Sequence, residues 1–194
     1  ELKIDFEEPQ TFTNEMIRHS LKIIDGEINS TDIIDFIKTF KGRKILIICN
    51  TIKVALSIYK QFKETNEEVS INLLHSHFTK ADRKIKESQI LKMGQKESNE
   101  NCIWVTTQIV EASLDIDFDL LFTELSDLNG LFQRMGRCYR NRNLNKQYNC
   151  FVFTGGRKTC SGVGFFIDKN IYELSKDALK SVDGVINEKQ KVFR

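Results

Sequence analysis

Between residues 44 and 154, short apolar runs alternate with amphipathic stretches, and that alternation limits the fold more than any other feature of the chain. Residues 44–49 read Lys-Ile-Leu-Ile-Ile-Cys, bounded by Gly42 and by Asn50-Thr51. A strand covered on both faces needs such a continuous run, as in a parallel sheet. Over residues 51–64, Val54, Ile58 and Phe62 recur at four-residue spacing, which places them on one helical face. Residues 70–74 predict the next strand and 79–93 the next helix, with Thr79 as its cap and Asp82 three residues on. Further strands are expected at 102–106, 120–124 and 150–154. A helix is expected at 127–138, with Leu128, Leu131, Phe132 and Met135 inward. Strands alternating with helices of about ten to fifteen residues make β-α-β units and a mostly parallel sheet. The fold class is α/β.

Outside that stretch the pattern is weaker. A short strand is expected at 2–6, helices at 14–24, 31–40 and 168–181, a turn at Pro9 and a glycine-rich loop at 155–164. Residues 1–41 are either a lead-in from a preceding lobe or part of this one. Residues 42–194 form the main domain, best supported over 43–154. A length of 194 residues gives room for one full core.

Composition adds little direction. The 29 lysines and arginines nearly balance 27 acids, for a net charge of +2, so any nucleic-acid role must rest on local patches. No apolar run is long enough to span a bilayer, and Glu1-Leu2-Lys3-Ile4 does not read as a signal peptide. The expected setting is a soluble domain in the cytoplasm. The missing initiator methionine leads us to expect a piece of a longer protein. Cys49, Cys102, Cys138, Cys150 and Cys160 show no C-x-x-C pairing and sit mostly in apolar runs, so buried, reduced thiols are expected.

In parallel sheets, ligands gather where strands end at their carboxyl side. Asn50-Thr51, His75-Ser76-His77 and Thr106-Thr107-Gln108 all close predicted strands. Their hydroxyls, amides and backbone N–H groups suit a phosphate backbone and carry no base information. For Asn50 and Thr51, helix capping is an equal alternative. A metal site at the two histidines is a weak reading, since no partner cysteine or carboxylate motif accompanies them.

Gln133-Arg134-Met135-Gly136-Arg137-Cys138-Tyr139-Arg140 is the densest polar motif. With Arg142 and Lys146 it places five cations and no acid between positions 133 and 146. On a helix Arg137 and Arg140 would share a face, and Gly136 would let a partner backbone or phosphate approach. Arginines delivered to a γ-phosphate raise phosphoryl-transfer rates by about 10³–10⁵; a basic helix end or plain salt bridging is the alternative. Asp115, Asp117 and Asp119 alternate, so on a strand their carboxylates would share one side. A divalent-metal site, ribose recognition by Asp115, or pairing with the basic segment all remain open. No phosphate loop of the form G-x-x-x-x-G-K-[ST] occurs.

The run Thr106-Thr107-Gln108-Ile109-Val110-Glu111-Ala112-Ser113-Leu114-Asp115-Ile116-Asp117-Phe118-Asp119 resembles the fifth motif of the CRISPR-associated helicase–nuclease of type I systems. Thr123-Glu124-Leu125 and the segment 133–140 are similar to its sixth motif and the approach to it. The G-R-x-x-R core is shared across superfamily 2 helicases. The resemblance covers about residues 43–154 and implies a RecA-like three-layer sandwich, the C-terminal lobe of a helicase.

It further implies a motor that uses ATP with Mg2+, the metal held mainly by the absent first lobe, to move along single-stranded DNA in the 3′-to-5′ direction. The implied partners are the first RecA-like lobe, a histidine–aspartate nuclease domain, fused or separate, and a guide-RNA surveillance complex. Carried over by position, Arg137 and Arg140 would be arginine fingers, with Gln133 and Gly136 at the nucleotide and Asp115 at its ribose. Asn50, Thr51, Thr106, Thr107 and Gln108 would lie along the DNA backbone, with His77 and Arg83 near an additional motif. A Walker lysine, an acidic metal motif and a nuclease histidine–aspartate pair are all absent. The isolated chain is therefore expected to hydrolyse no ATP and to bind single strands weakly. The alternatives are a lobe of another superfamily 2 helicase, acting on RNA or in DNA repair, and an inactive docking lobe.

Overall fold

Every strand expected between residues 44 and 154 forms, and the alternation of their side chains builds two cores. The computed structural model describes residues 16–40, 42–65, 69–112, 114–140, 142–145 and 147–186. In chain order the elements are β1 (His19–Ile24), α1 (Ser30–Phe40), β2 (Lys44–Ile48), α2 (Ile52–Thr65), β3 (Ser70–Leu74), α3 (Lys80–Met93) and β4 (Cys102–Thr106). A 3-10 turn (Gln108–Glu111) follows, then β5 (Leu120–Glu124), α4 (Leu128–Met135), β6 (Cys150–Phe153), α5 (Lys169–Leu179) and β7 (Gly184–Ile186). The expected strand at 2–6 and the turn at Pro9 lie outside the described residues.

The strands make one sheet in the order β3-β4-β2-β5-β6-β1-β7. All neighbours run parallel except β7, which is antiparallel to β1. On one face Ile45, Ile47, Ile103, Val105, Leu120 and Phe122 pack against Ile33 of α1 and Ala55, Ile58 and Phe62 of α2. On the other, Leu46, Ile48, Trp104 and Leu121 pack against Ile90, Leu131, Met135 and Tyr172 from α3, α4 and α5. Period-two alternation thus feeds both faces of a three-layer αβα sandwich. Thr79 caps α3 by accepting the Asp82 N–H, as its spacing predicts. No helix among the described residues is long and apolar enough to cross a membrane.

Three expectations need correction. The helix expected at 14–24 does not form over its second half, where His19–Ile24 is the strand between β6 and β7. A short apolar run such as Leu-Lys-Ile-Ile has no decisive period, so ladder partners decide it. Asn149 helps by donating to Arg18 O and accepting from Ser20 N, each at 2.9 Å. Second, the helix expected to 138 stops at Met135: Phe118 N–H donates to Arg137 O and Tyr139 N–H to Phe118 O, drawing the chain out of the helix. Arg137 and Arg140 therefore do not share a helical face, and Tyr139 takes a left-handed φ of 50°. Third, residues 115–117 are not in a strand, so the three aspartates do not line one side. β7 has no counterpart among the expected elements.

Candidate nucleotide and nucleic-acid site

Parallel pairing brings the ends of β2, β4 and β5 side by side, and the buried carboxylate that closes β5 ties the turn after β2 to the loop after β6. Glu124, 4% exposed, accepts from Asn50 N–H at 2.7 Å, from Ser161 N–H at 2.9 Å and from Ser161 Oγ–H at 2.7 Å. Asn50 Nδ2 donates to Leu125 O at 2.9 Å, and Gln108 Nε2 donates to Asn50 O at 2.8 Å. Thr51 Oγ1 lies 3.1 Å from Ser161 Oγ. Charge-assisted bonds of this kind hold the turn after β2 in one geometry. Neither Glu124 nor Ser161 stands out as a site residue in sequence; a glutamate closing an apolar strand is the one signal that could have found them.

Asn50, Thr51, Ser76, Thr107, Gln108 and Phe166 line an open groove of about 460 Å³ above these strand ends. Thr106 faces inward instead, fully buried, with its hydroxyl donating to Ile47 O. His77 and Arg83 are not among the groove-lining residues. His77 is exposed, with its ring edge-on to His75, and Arg83 is exposed on α3 with Glu87 at 2.7 Å. His75 stacks on Phe78 at 4.3 Å. Among the described residues no three His, Cys, Asp or Glu side chains converge to hold a metal ion. All five cysteines are free and buried. Burial pushes the thiols of Cys102 and Cys160 up, to about 12 and about 11, so neither is a thiolate at neutral pH.

Burial sorts the arginines. Arg134 is fully buried: Nε donates to Glu111 Oε1 at 2.7 Å, and Nη1 to Thr123 Oγ1 at 2.9 Å and Glu124 O at 2.6 Å. Arg142 is gripped by Asp117 and Asp119, at 2.8 and 2.7 Å, and its guanidinium lies over the Tyr139 ring. All three aspartates pair with arginines of the basic segment, two with Arg142 and Asp115 with Arg140. Arg137 is half-buried and bonded only to carbonyls, donating from Nη1 to Leu114 O at 2.6 Å and from Nη2 to Glu111 O at 2.7 Å. Burial, then the nearby Arg140 cation, pulls its pKa below the ordinary arginine value, though it stays charged at neutral pH. Arg140 meets Asp115 at 3.0 Å, and the Asp115 side chain is 86% exposed. Asp115 and Arg140 also line a cleft of about 380 Å³ with residues 94–97. Gln133 is exposed, and Gly136 closes α4 by donating to Phe132 O.

The 3-10 turn links the two regions. Gln108 at its start faces the groove, and Glu111 at its end holds Arg134 by its carboxylate and Arg137 by its carbonyl. The arrangement places amides and hydroxyls along one side and, on the other, Arg137, which is held by carbonyls alone.

A family model for the C-terminal part of the CRISPR-associated nuclease/helicase Cas3 matches residues 41–143. The chain is 42% identical over 103 residues to the CRISPR-associated endonuclease/helicase Cas3 of Escherichia coli K12, covering 52% of this chain and 12% of that protein. In fold it is similar to Cas3 of T. fusca in the crystal structure with ATP, with a TM-score of 0.75 at 24% identity, over 96% of this chain and 24% of that one. It is also similar to a chain of a CRISPR RNA-guided surveillance complex before nicking, with a TM-score of 0.70 at 23% identity, over 95% of this chain and 25% of that one. Those structural likenesses carry the fold alone, a RecA-like lobe.

Proposed function

Because the chain belongs to the family of the Cas3 C-terminal domain, we propose that it is the second motor lobe of an ATP-dependent single-stranded DNA translocase acting in CRISPR type I interference. The chain spans a small share of its relatives, 12% of the Escherichia coli protein, so motor activity belongs to the lobe together with a first RecA-like lobe. That lobe would hold the ATP phosphates and most of the Mg2+ coordination. A histidine–aspartate nuclease domain and a guide-RNA surveillance complex in the cytoplasm complete the proposed assembly. Residues 1–41 are proposed to belong at least partly to this lobe, since β1 pairs within its sheet.

One observation supports the arginine assignment above others. Arg134 is neutralised by Glu111 and Arg142 by Asp117 and Asp119, whereas Arg137 has no carboxylate within ion-pair distance among the described residues. A cation held by carbonyls alone, in a partly desolvated place, is available to an incoming γ-phosphate. Arg140 would join it by leaving the exposed Asp115, which would then be free for the ribose. Gln133 and Gly136 flank the same segment. Asn50, Thr51, Thr107 and Gln108 are proposed to contact the DNA backbone from the groove.

The test is ATP turnover by this lobe joined to its first lobe, titrated with single-stranded DNA and single-stranded RNA. DNA-stimulated turnover that is lost in Arg137→Ala and in Arg140→Ala is the expected result. Stimulation by RNA alone would move the lobe to another superfamily 2 helicase. Turnover unaffected by either substitution would leave a docking lobe.

A further inference from the structure

The polar groove above the strand ends has an aromatic wall that none of its other residues explains. Phe166 lines it together with Asn50, Thr51, Thr107 and Gln108, and the residue remains 59% exposed. A phenyl ring left in water forgoes the gain of burial, so packing alone does not account for this placement. The loop is built to hold the ring there. Gly162 has a φ of +83°, and a Cβ at that position would run into the Phe166 ring. The Gly162 carbonyl accepts from the N–H groups of Phe165, Phe166 and Ile167, at 3.1, 3.2 and 3.2 Å, and Ile167 is buried beneath. One residue earlier, Ser161 is fixed to Glu124 through both its N–H and its hydroxyl. Glu124 also fixes Asn50, so the aromatic wall and the polar wall share one buried anchor.

We infer that Phe166 is the base-contacting residue of this groove, its ring stacking on a nucleobase of a single strand whose backbone passes Asn50, Thr51, Thr107 and Gln108. This rests on the single-stranded DNA reading proposed above. The polar wall offers groups that suit phosphate and sugar, and the Asn50 and Gln108 side-chain amides already donate to Leu125 O and Asn50 O. Every base has a π-face, so an aromatic ring adds affinity without sequence preference, as a translocating motor requires. Holding the ring in place before the strand arrives spares the ordering cost at binding.

The test measures single-strand binding by the full-length protein that contains this chain, with wild type, Phe166→Ala, Phe166→Trp and Phe165→Ala. Each is titrated with an oligothymidine strand and with an abasic strand of equal length, over a range of salt concentrations. Phe165 is 95% exposed on the same loop and does not line the groove, so it controls for general loss of apolar surface. The expected result is a loss of about 5- to 150-fold in Phe166→Ala affinity for the base-bearing strand. Phe166→Trp restores binding, and Phe165→Ala leaves it unchanged. The abasic strand is bound alike by wild type and Phe166→Ala, and the slope of log affinity against log salt does not move, since no phosphate contact is lost. Wild-type affinity in Phe166→Ala, or equal losses from both phenylalanine substitutions, would overturn the inference. Failure of the wild type to bind either strand would instead overturn the DNA reading on which it stands.

Discussion

Four arginines follow one another at positions 134, 137, 140 and 142, and their surroundings give them different work. Arg134 is a buried tie between the 3-10 turn and the end of β5, with its charge matched by Glu111. Removing it leaves Glu111 without its partner and takes one of two donors from Glu124 O, which keeps only the Thr123 hydroxyl. Arg134→Ala is expected to destabilise the lobe by about 3–5 kcal/mol, measured by chemical denaturation. Arg137 is expected to behave differently. In the joined two-lobe protein, Arg137→Ala should lower DNA-stimulated kcat by about 10³-fold or more, while circular dichroism and the melting curve report a folded lobe. If Arg137→Ala instead unfolds the protein and Arg134→Ala only slows it, the assignment is reversed. The motif itself is readable in sequence; which arginine is neutralised depends on acids 23 to 25 positions away.

At the scale of elements, the turn between α3 and β4 holds the acidic side of the site in place. Gly94 caps α3, and its carbonyl accepts the Asp117 N–H at 2.7 Å, which fixes the aspartate that grips Arg142. A Cβ at Gly94 would stand 2.7 Å from Ile90 O and 2.9 Å from the Ile116 side chain. Gly94→Ala must therefore push the end of α3 from the segment after the 3-10 turn, at a cost of about 1–3 kcal/mol. Thermal denaturation checks this, and an unchanged midpoint would refute it. Helix α2 was legible from its apolar period, α3 from its cap at Thr79, and strands β2 to β6 from short apolar runs. β1 was not, because Leu21 and Ile23 fit a helix as well as a strand until β6 and β7 lie alongside.

Across the whole molecule, the Asp119 carboxylate links the start of β2 to the segment after α4. It accepts from Arg43 N–H and Lys44 N–H, both at 3.0 Å, and from Arg142 Nη1 at 2.7 Å. Burial alone would raise its pKa, but these donors and the Arg142 charge outweigh burial and hold it below the ordinary aspartate value. A depressed carboxyl stabilises the fold above its unfolded pKa of about 3.9, and that contribution is lost as pH falls through the folded value. Denaturation midpoints of the wild type should therefore drop on acidification below about pH 4. Asp119→Asn should start lower at neutral pH and fall less steeply over the same range. A parallel fall in both proteins would show that Asp119 is not the linked group.

What the chain determined alone is local: the positions of β2 to β6, the helices between them, and strand ends rich in amides and hydroxyls. These follow from side-chain periods of two and about 3.6, which act between neighbours in sequence. Only tertiary structure decided the strand order, the end of α4 at Met135, and the pairing of Arg134 and Arg142 with acids. It also decided that Phe166 lines the same groove as Thr51, on a loop tied to Thr51 through Ser161, 110 positions away. No local period encodes such a contact. It exists because a parallel sheet lays the ends of distant strands side by side.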